Sequence, residues 1–313
     1  MPSALAAIIR DDAFAGHDTG MHPENPQRYR AVLAALDDAG MLDGARDLSL
    51  RPATDEEILR VHTADHLDLL TAIGSQGDGW IDSDTMVAPD SLETARRAAG
   101  AAIAATDSAL SGRRAFALGR PPGHHATPNQ AMGFCLLNSI AIAAAHARLN
   151  GAARVAIIDW DVHHGNGTQD IFYDSGDIWY VSIHQSPLYP GTGYPGETGR
   201  GPGAGATLNC PLSPGTGDAE WLATFDARVV PFIEEARPDL ILLSAGYDAH
   251  RDDPIGGCNV TDDGFAALVA RTRDLADRHC DGRLAAVLEG GYDPDALGRC
   301  VVRTVRELDP ATI

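Results

Sequence analysis

Short apolar runs, most of them followed by segments with apolar residues at helical spacing, recur along the chain and restrict its fold more than any other feature. The runs are ALAAII (4–9), AFAL (115–118), RVAIIDW (154–160), IWYVSIH (178–184), LILLSAGYD (240–248) and LAAVLEGGY (284–292). Each is short enough for a buried strand. The intervening segments NSIAIAAAHARLNG (138–151) and DAEWLATFDARVVPFIEEARP (218–238) read as helices. Asp218 is placed to cap the second helix and Pro238 to end it. Strands alternating with helices predict an α/β fold, a largely parallel sheet wrapped on both faces. Glycine and proline crowd YPGTGYPGETGRGPGAGA (189–206), which predicts a long functional loop. There is no internal repeat, low-complexity tail or linker, so residues 1–313 read as a single domain.

Composition fits that architecture and narrows the partners. A chain of 313 residues, 44% hydrophobic, is long enough for one large domain with a deep core. The net charge is −20 and all 24 basic residues other than histidine are arginine. Such a surface argues against nucleic acid and would draw in cations, polyamines and lysine-rich peptides alike. Solubility or genome composition explains it better than steering, so charge alone decides little. The five cysteines are scattered without a CxxC pair, which points to a reducing cytoplasm rather than a disulfide framework. The N-terminus lacks the basic and apolar regions of a signal peptide. No apolar run approaches the roughly 20 residues that span a bilayer.

In parallel α/β sheets the ligand site lies beyond the carboxyl ends of the strands. Three runs end there in polar residues: DWDVHHGNG, SAGYDAHRDDP and EGGYDP. Asp159, Asp161 and His163 are spaced by two, so an extended backbone would point them to one side. Two buried carboxylates need a cation between them. Asp248 completes a set of two carboxylates and one imidazole, the open three-ligand pattern of a catalytic zinc site. A single acid at a strand end is more often a cap, but here three ends agree with a histidine pair. His124 and His125, behind Pro121-Pro122-Gly123, can supply the base and acid that a metal-activated water requires. Asp159 is placed to orient one imidazole and Asn166 the other; the carboxylate-bound histidine should be the more basic. Gly290 and Gly291 let the backbone approach closely, and Tyr292 projects a phenol that can stabilise an oxyanion.

The segments RPPGHHATPNQAMGFCLLNSIAIAA, DWDVHHGNGTQDIFY, SIHQSPLYPGTG, SAGYDAHRDDPIGG and LEGGY closely resemble the zinc-dependent histone deacetylase family, whose bacterial members include acetylpolyamine amidohydrolases. The resemblance runs from HPENPQR to the C-terminal helix and implies the arginase-like α/β fold. It implies zinc, or Fe(II) in the cell, at Asp161, His163 and Asp248. His124 and His125 become the dyad, with His125 the general base and acid, and Tyr292 polarises the carbonyl. Asp159 and Ser182, with backbone groups nearby, resemble one structural potassium site; Phe172, Ser175 and Ile178 match a second. Phe134 and Tyr189 resemble the walls of a narrow acyl-lysine tunnel, with Gly133 their neighbour, and Gly290 and Gly291 count with them among the substrate-binding residues. Arg28 resembles a residue of the inner cavity where acetate departs. Asn166 is similar to the class II pattern, where class I enzymes carry aspartate. Ile255 stands where the polyamine-selective class II enzyme has a glutamate gatekeeper. Asp84 is the candidate for the rim acid that grips a peptide backbone.

These features point to a class II-like deacylase of acyl-lysine proteins or peptides, with an acetylpolyamine amidohydrolase as the alternative; they specify no oligomeric state. A ureohydrolase with two manganese ions shares the fold but needs a DxD pair where SAGYDAH has one acid. A silent acyl-group sensor would not need His124, His125 and Tyr292 together.

Overall fold

The computed structural model describes residues 6–42 and 50–310. The first two residues of the ALAAII run, Ala4 and Leu5, lie outside the described residues, and so do both ends of the 1–313 domain assignment. The strands are β1 (Ala7–Ile9), β2 (Gly79–Trp80), β3 (Met86–Val87), β4 (Ala115–Ala117), β5 (Val155–Asp159), β6 (Ile178–Gln185), β7 (Thr207–Leu212), β8 (Leu240–Ala245) and β9 (Leu284–Leu288). Seven of them form one sheet in the order β1-β4-β9-β8-β5-β6-β7, and every neighbouring pair is parallel. β2 and β3 make a separate antiparallel hairpin.

All residues of β4, β5, β8 and β9 are buried, as strands covered on both faces must be. Helices Ser91–Leu110 and Ser139–Leu149 pack together against β4, β5, β8 and β9. Helix Pro294–Leu308 packs against Pro26–Asp38 and Asp262–His279. Its approach to the first is close because Gly298 has no side chain: a Cβ there would lie 2.9 Å from Ala35 Cβ. Among the described residues no helix is long and apolar enough to cross a membrane.

Two local expectations need correction. Asp218 is the first residue of its helix, not the cap; Gly217 takes that position, and its N–H donates to Glu220. Asp218 instead accepts from the N–H (2.8 Å) and hydroxyl (2.7 Å) of Thr261, the cap of helix Asp262–His279. The helix is also interrupted by a π-turn at Phe225–Val229, just before Pro231, whose missing N–H cannot extend the regular ladder. It stops at Ala236 with Arg237 left-handed. The apolar runs also do not announce β7. It carries Asn209 and Pro211, and proline is tolerated because β7 is an edge strand.

From β5 the chain proceeds outward through β6 and β7, whereas β8 and β9 return on the other side. That reversal makes a topological switch point between β5 and β8, where a crevice opens beyond the strand ends.

Candidate metal-centred active site

The turn after β5 carries Asp161 and His163. The strand stops at Asp159, so alternation along an extended backbone does not bring these side chains together. Two Asx-type turns do: the Asp161 N–H donates to Asp159 Oδ1 at 3.1 Å, and the His163 N–H to Asp161 Oδ1 at 3.0 Å. From the end of β8, Asp248 holds the same turn by accepting the Val162 N–H at 2.8 Å. His163 Nδ1 then lies 3.0 Å from Asp161 Oδ1 and 3.1 Å from Asp248 Oδ2. All three residues are buried, with ligating atoms within 4.8 Å of one another.

Their charges show what this arrangement lacks. Burial, with Asp161 alongside, pushes the Asp248 carboxyl up to about 7. Burial also opposes ionisation of Asp161, but His124 and His163 hold it well below the usual range. His163 overcomes its own burial and rises to about 10 through its bonds to both carboxylates. A divalent cation would take the place of that imidazole proton and neutralise the acids. The backbone closes on the two carboxylates from behind: a Cβ on Gly290 would sit 2.2 Å from Asp248 Oδ2, and one on Gly246 2.2 Å from Asp161 Oδ2. Two carboxylates and an imidazole so placed are a donor set that fits a divalent metal ion.

The histidine pair follows β4. His124 Nδ1 is 3.0 Å from Asp159 Oδ2, and His125 Nδ1 is 2.8 Å from Asn166 Oδ1. Asp159 therefore turns away from the other two acids, and Tyr180 also donates to it at 3.1 Å. An amide oxygen only accepts, so His125 carries its proton on Nδ1 and leaves Nε2 free as a base. Burial works against protonation of both rings. In His124 the charges of Asp161 and Asp159 outweigh it and raise the group to about 10. In His125 burial and charged His124 lower it well below the ordinary value.

A pocket of about 130 Å³ opens over these groups, lined by Asp84, His125, Gly133, Phe134, His163, Tyr189, Ile255 and Tyr292. Gly133 is left-handed (φ 56°), and a Cβ there would stand 2.5 Å from the His125 ring. Arg28, Gly290 and Gly291 lie outside this lining. Gly290 N–H donates to Asp161 Oδ2 at 2.8 Å, and the Gly291 carbonyl accepts from Arg28 Nε at 2.6 Å. Arg28 itself stands 4.9 Å from the centre of the Tyr292 ring and pairs with Glu24 at 3.0 Å. Arg28 thus backs the Tyr292 ring and the Gly291 carbonyl, while Gly290 holds Asp161. Asp159 and Ser182 are register partners across β5 and β6. Phe172, Ser175 and Ile178 share one turn, in which the Phe172 carbonyl accepts from Ser175 N–H at 2.9 Å and Ser175 Oγ from Ile178 N–H at 3.3 Å.

Sequence reasoning passes over three supporting acids. Glu289 Oε2 accepts from the backbone N–H groups of Gly123 (2.6 Å) and His124 (3.2 Å), fixing the dyad loop to the end of β9. Asp253 accepts from Tyr292 N–H at 2.6 Å and from Ile255 N–H at 2.9 Å, joining two walls of the pocket. Glu24 is buried between Arg28 and Arg120, whose Nε lies 2.6 Å from it. Glu289 carries the signal used for Asp248, an acid closing an apolar run; the other two carry none.

A family model described as the histone deacetylase domain matches residues 22–308. The chain is 43% identical over 306 residues to a histone deacetylase-like amidohydrolase of Pseudomonas aeruginosa, covering 96% of this chain and 79% of that one. It is 42% identical over 293 residues to a probable deacetylase of Archaeoglobus fulgidus, covering 92% and 81%. The crystal structure of the HDA15 HD domain superposes with a TM-score of 0.93 at 37% identity, over 99% of this chain and 90% of that one. With these relatives and this fold, the chain belongs to the histone deacetylase family of deacetylating amidohydrolases.

Proposed function

We propose that this protein is a zinc-dependent hydrolase that removes acetyl and other short acyl groups from lysine side chains of proteins or peptides. The observation that supports it most is the convergence of Asp161, His163, Asp248, His125 and Tyr292 at the base of one narrow pocket. Zinc, or Fe(II), held by Asp161, His163 and Asp248 would polarise the amide carbonyl and bring the pKa of water toward ~7. His125 uses its free Nε2 to take the proton of the attacking water and to return it to the leaving amine. His124, kept cationic by Asp159, stabilises the negative charge that develops. Burial pushes the Tyr292 phenol well up, so it keeps its proton and donates to the oxyanion. Phe134, Tyr189 and Ile255 flank the methylene stem of the lysine. Two potassium ions, at Asp159 with Ser182 and at Phe172, Ser175 and Ile178, belong to the same proposal as structural ions.

Metal-loaded protein and a fluorogenic acetyl-lysine peptide test the reading directly. Turnover that depends on metal supports it, and binding without turnover would make the chain a sensor. The Asn166 contact gives a sharper expectation. Asn166→Asp places a carboxylate on His125 and makes it more basic. Because the base must be unprotonated to act, the acid limb of the kcat/KM profile should move to higher pH. An unmoved limb would break the pairing.

A second reading, hydrolysis of acetylpolyamines, has Asp84 in its favour, a carboxylate in the pocket lining. The −20 net charge also attracts cations, but diffuse charge is screened within about 8 Å at physiological salt. Ile255 offers the bound amine no counter-charge. Acetyl-lysine peptides should therefore surpass N8-acetylspermidine in kcat/KM, and Ile255→Glu should narrow the gap by about tenfold or reverse it. Clear preference of the unaltered enzyme for the polyamine would favour the second reading.

A further inference from the structure

Solitary exposed apolar residues are ordinary, but one connected to a pocket wall by packed rings calls for a reason. Met21 is fully exposed and Trp80 is 57% exposed. Trp80 reaches the pocket through His22, the residue after Met21. Its ring centre lies 6.1 Å from that of Trp80 and 4.5 Å from that of Phe134, which in turn stands 5.6 Å from Tyr292. An unbroken series of aromatic rings thus leads from solvent to the base of the pocket.

The shelf is also held in place. His22 Nδ1 accepts the Glu24 N–H at 3.0 Å, and its Nε2–H donates to the Asp84 carbonyl at 3.0 Å. That ties the Met21 loop to the β2–β3 turn, whose own Asp82 accepts from Asp84 N–H (3.0 Å) and Thr85 N–H (2.7 Å). Thr85 Oγ1 in turn accepts the Phe134 N–H at 3.2 Å. Glu24 is locked by Arg28 and Arg120 in the interior. Little freedom of the surrounding loops therefore remains to be lost when something packs against Trp80.

We infer that Trp80 is a platform for an apolar side chain adjacent to the acyl-lysine of a peptide substrate, so that the enzyme selects acylated lysines with an aromatic or large aliphatic neighbour. The inference rests on the acyl-lysine reading above and adds a sequence preference to it. Continuity with the pocket argues for this occupant, since the packed rings of Trp80, His22 and Phe134 carry an apolar surface from solvent to the side of the pocket. A second copy of the chain fits less well, because it would bring Asp82 and Asp84 against their own counterparts.

The test is a double-mutant cycle on the metal-loaded full chain. Its substrates are two acetyl-lysine peptides that differ only in phenylalanine or glycine next to the lysine, with a single capped acetyl-lysine measured alongside. An aromatic contact of this kind corresponds to about five- to tenfold in kcat/KM. The unaltered enzyme should prefer the phenylalanine peptide by that factor. Trp80→Ala should bring the ratio within about twofold of one, and Trp80→Phe should keep most of it. Equal rates on the two peptides with the unaltered enzyme would overturn the inference while leaving the deacylase reading intact. So would an equal loss on both peptides in Trp80→Ala, or a dimer of the unaltered protein that Trp80→Ala dissociates. No turnover of either peptide or of the capped acetyl-lysine by enzyme that hydrolyses an acetylated polyamine would sink the acyl-lysine reading and the platform with it.

Discussion

Asp248→Ala protein is expected to leave purification with almost no divalent metal and with turnover below about a thousandth of the unaltered enzyme. A metal ion contributes several kcal/mol of charge stabilisation to such a hydrolysis, and each 1.4 kcal/mol is about a factor of ten. Removing Asp248 leaves Asp161 and His163, too few for a stable site. The alanine change also strips the Val162 N–H of its acceptor, so the turn after β5 loses a contact along with a ligand. Asp248→Asn separates the two effects, because the amide oxygen can still accept from Val162 while the charge is gone. Elemental analysis should find both variants depleted of divalent metal, against one divalent ion per chain in the unaltered protein. Two divalent ions per chain, or full retention in either variant, would show that the ligand set is assigned wrongly.

His125→Ala and Tyr292→Phe should each remove most turnover while metal content stays near that of the unaltered protein. Loss of a general base costs about 10²–10⁴-fold and loss of an oxyanion donor about 10²–10³-fold. The effect belongs in kcat, because neither group is needed to hold the acyl chain in its tunnel. Tyr292→Phe keeps the ring beside Arg28 and Phe134 and deletes only the hydroxyl, which makes it the cleaner of the two. Near-normal kcat in either variant on an acetyl-lysine peptide would remove that residue from the mechanism. His124→Ala should change the rate less by way of proton transfer, because Asp159 holds that ring as a cation.

What could be read from the chain follows the range of the interactions involved. Apolar runs that end in acids announce β5, β8 and β9, and with them Asp161, His163 and Asp248. The unlike partners of His124 and His125 could be inferred from chemistry alone, since a carboxylate and an amide bias a ring in opposite directions. Residues whose roles depend on distant backbone were not legible. Glu289 grips Gly123 across 166 positions, and Arg28 reaches Gly291 across 263. The two-residue strands β2 and β3 are too short for a period-two pattern, so the hairpin and its Trp80 do not announce themselves, although Asp84 stands out alone as a candidate rim acid. Spacing by two grouped Asp159 with Asp161 and His163, and the structure separates it because Asx turns, not a pleated strand, set the geometry.

The order in which the ribosome delivers these parts has a consequence for maturation. His124 and His125 emerge first, Asp161 and His163 some 40 residues later, then Asp248, and the Gly290 floor of the cradle with Tyr292 last of all. The C-terminal helix Pro294–Leu308, which seals the fold against Pro26–Asp38, follows only after that. No nascent fragment ending before residue 290 contains the complete cradle. An ion bound at Asp161, His163 and Asp248 would therefore meet a site whose ligands precede their last backbone support, the Gly290 N–H that holds Asp161, by about 40 residues of synthesis.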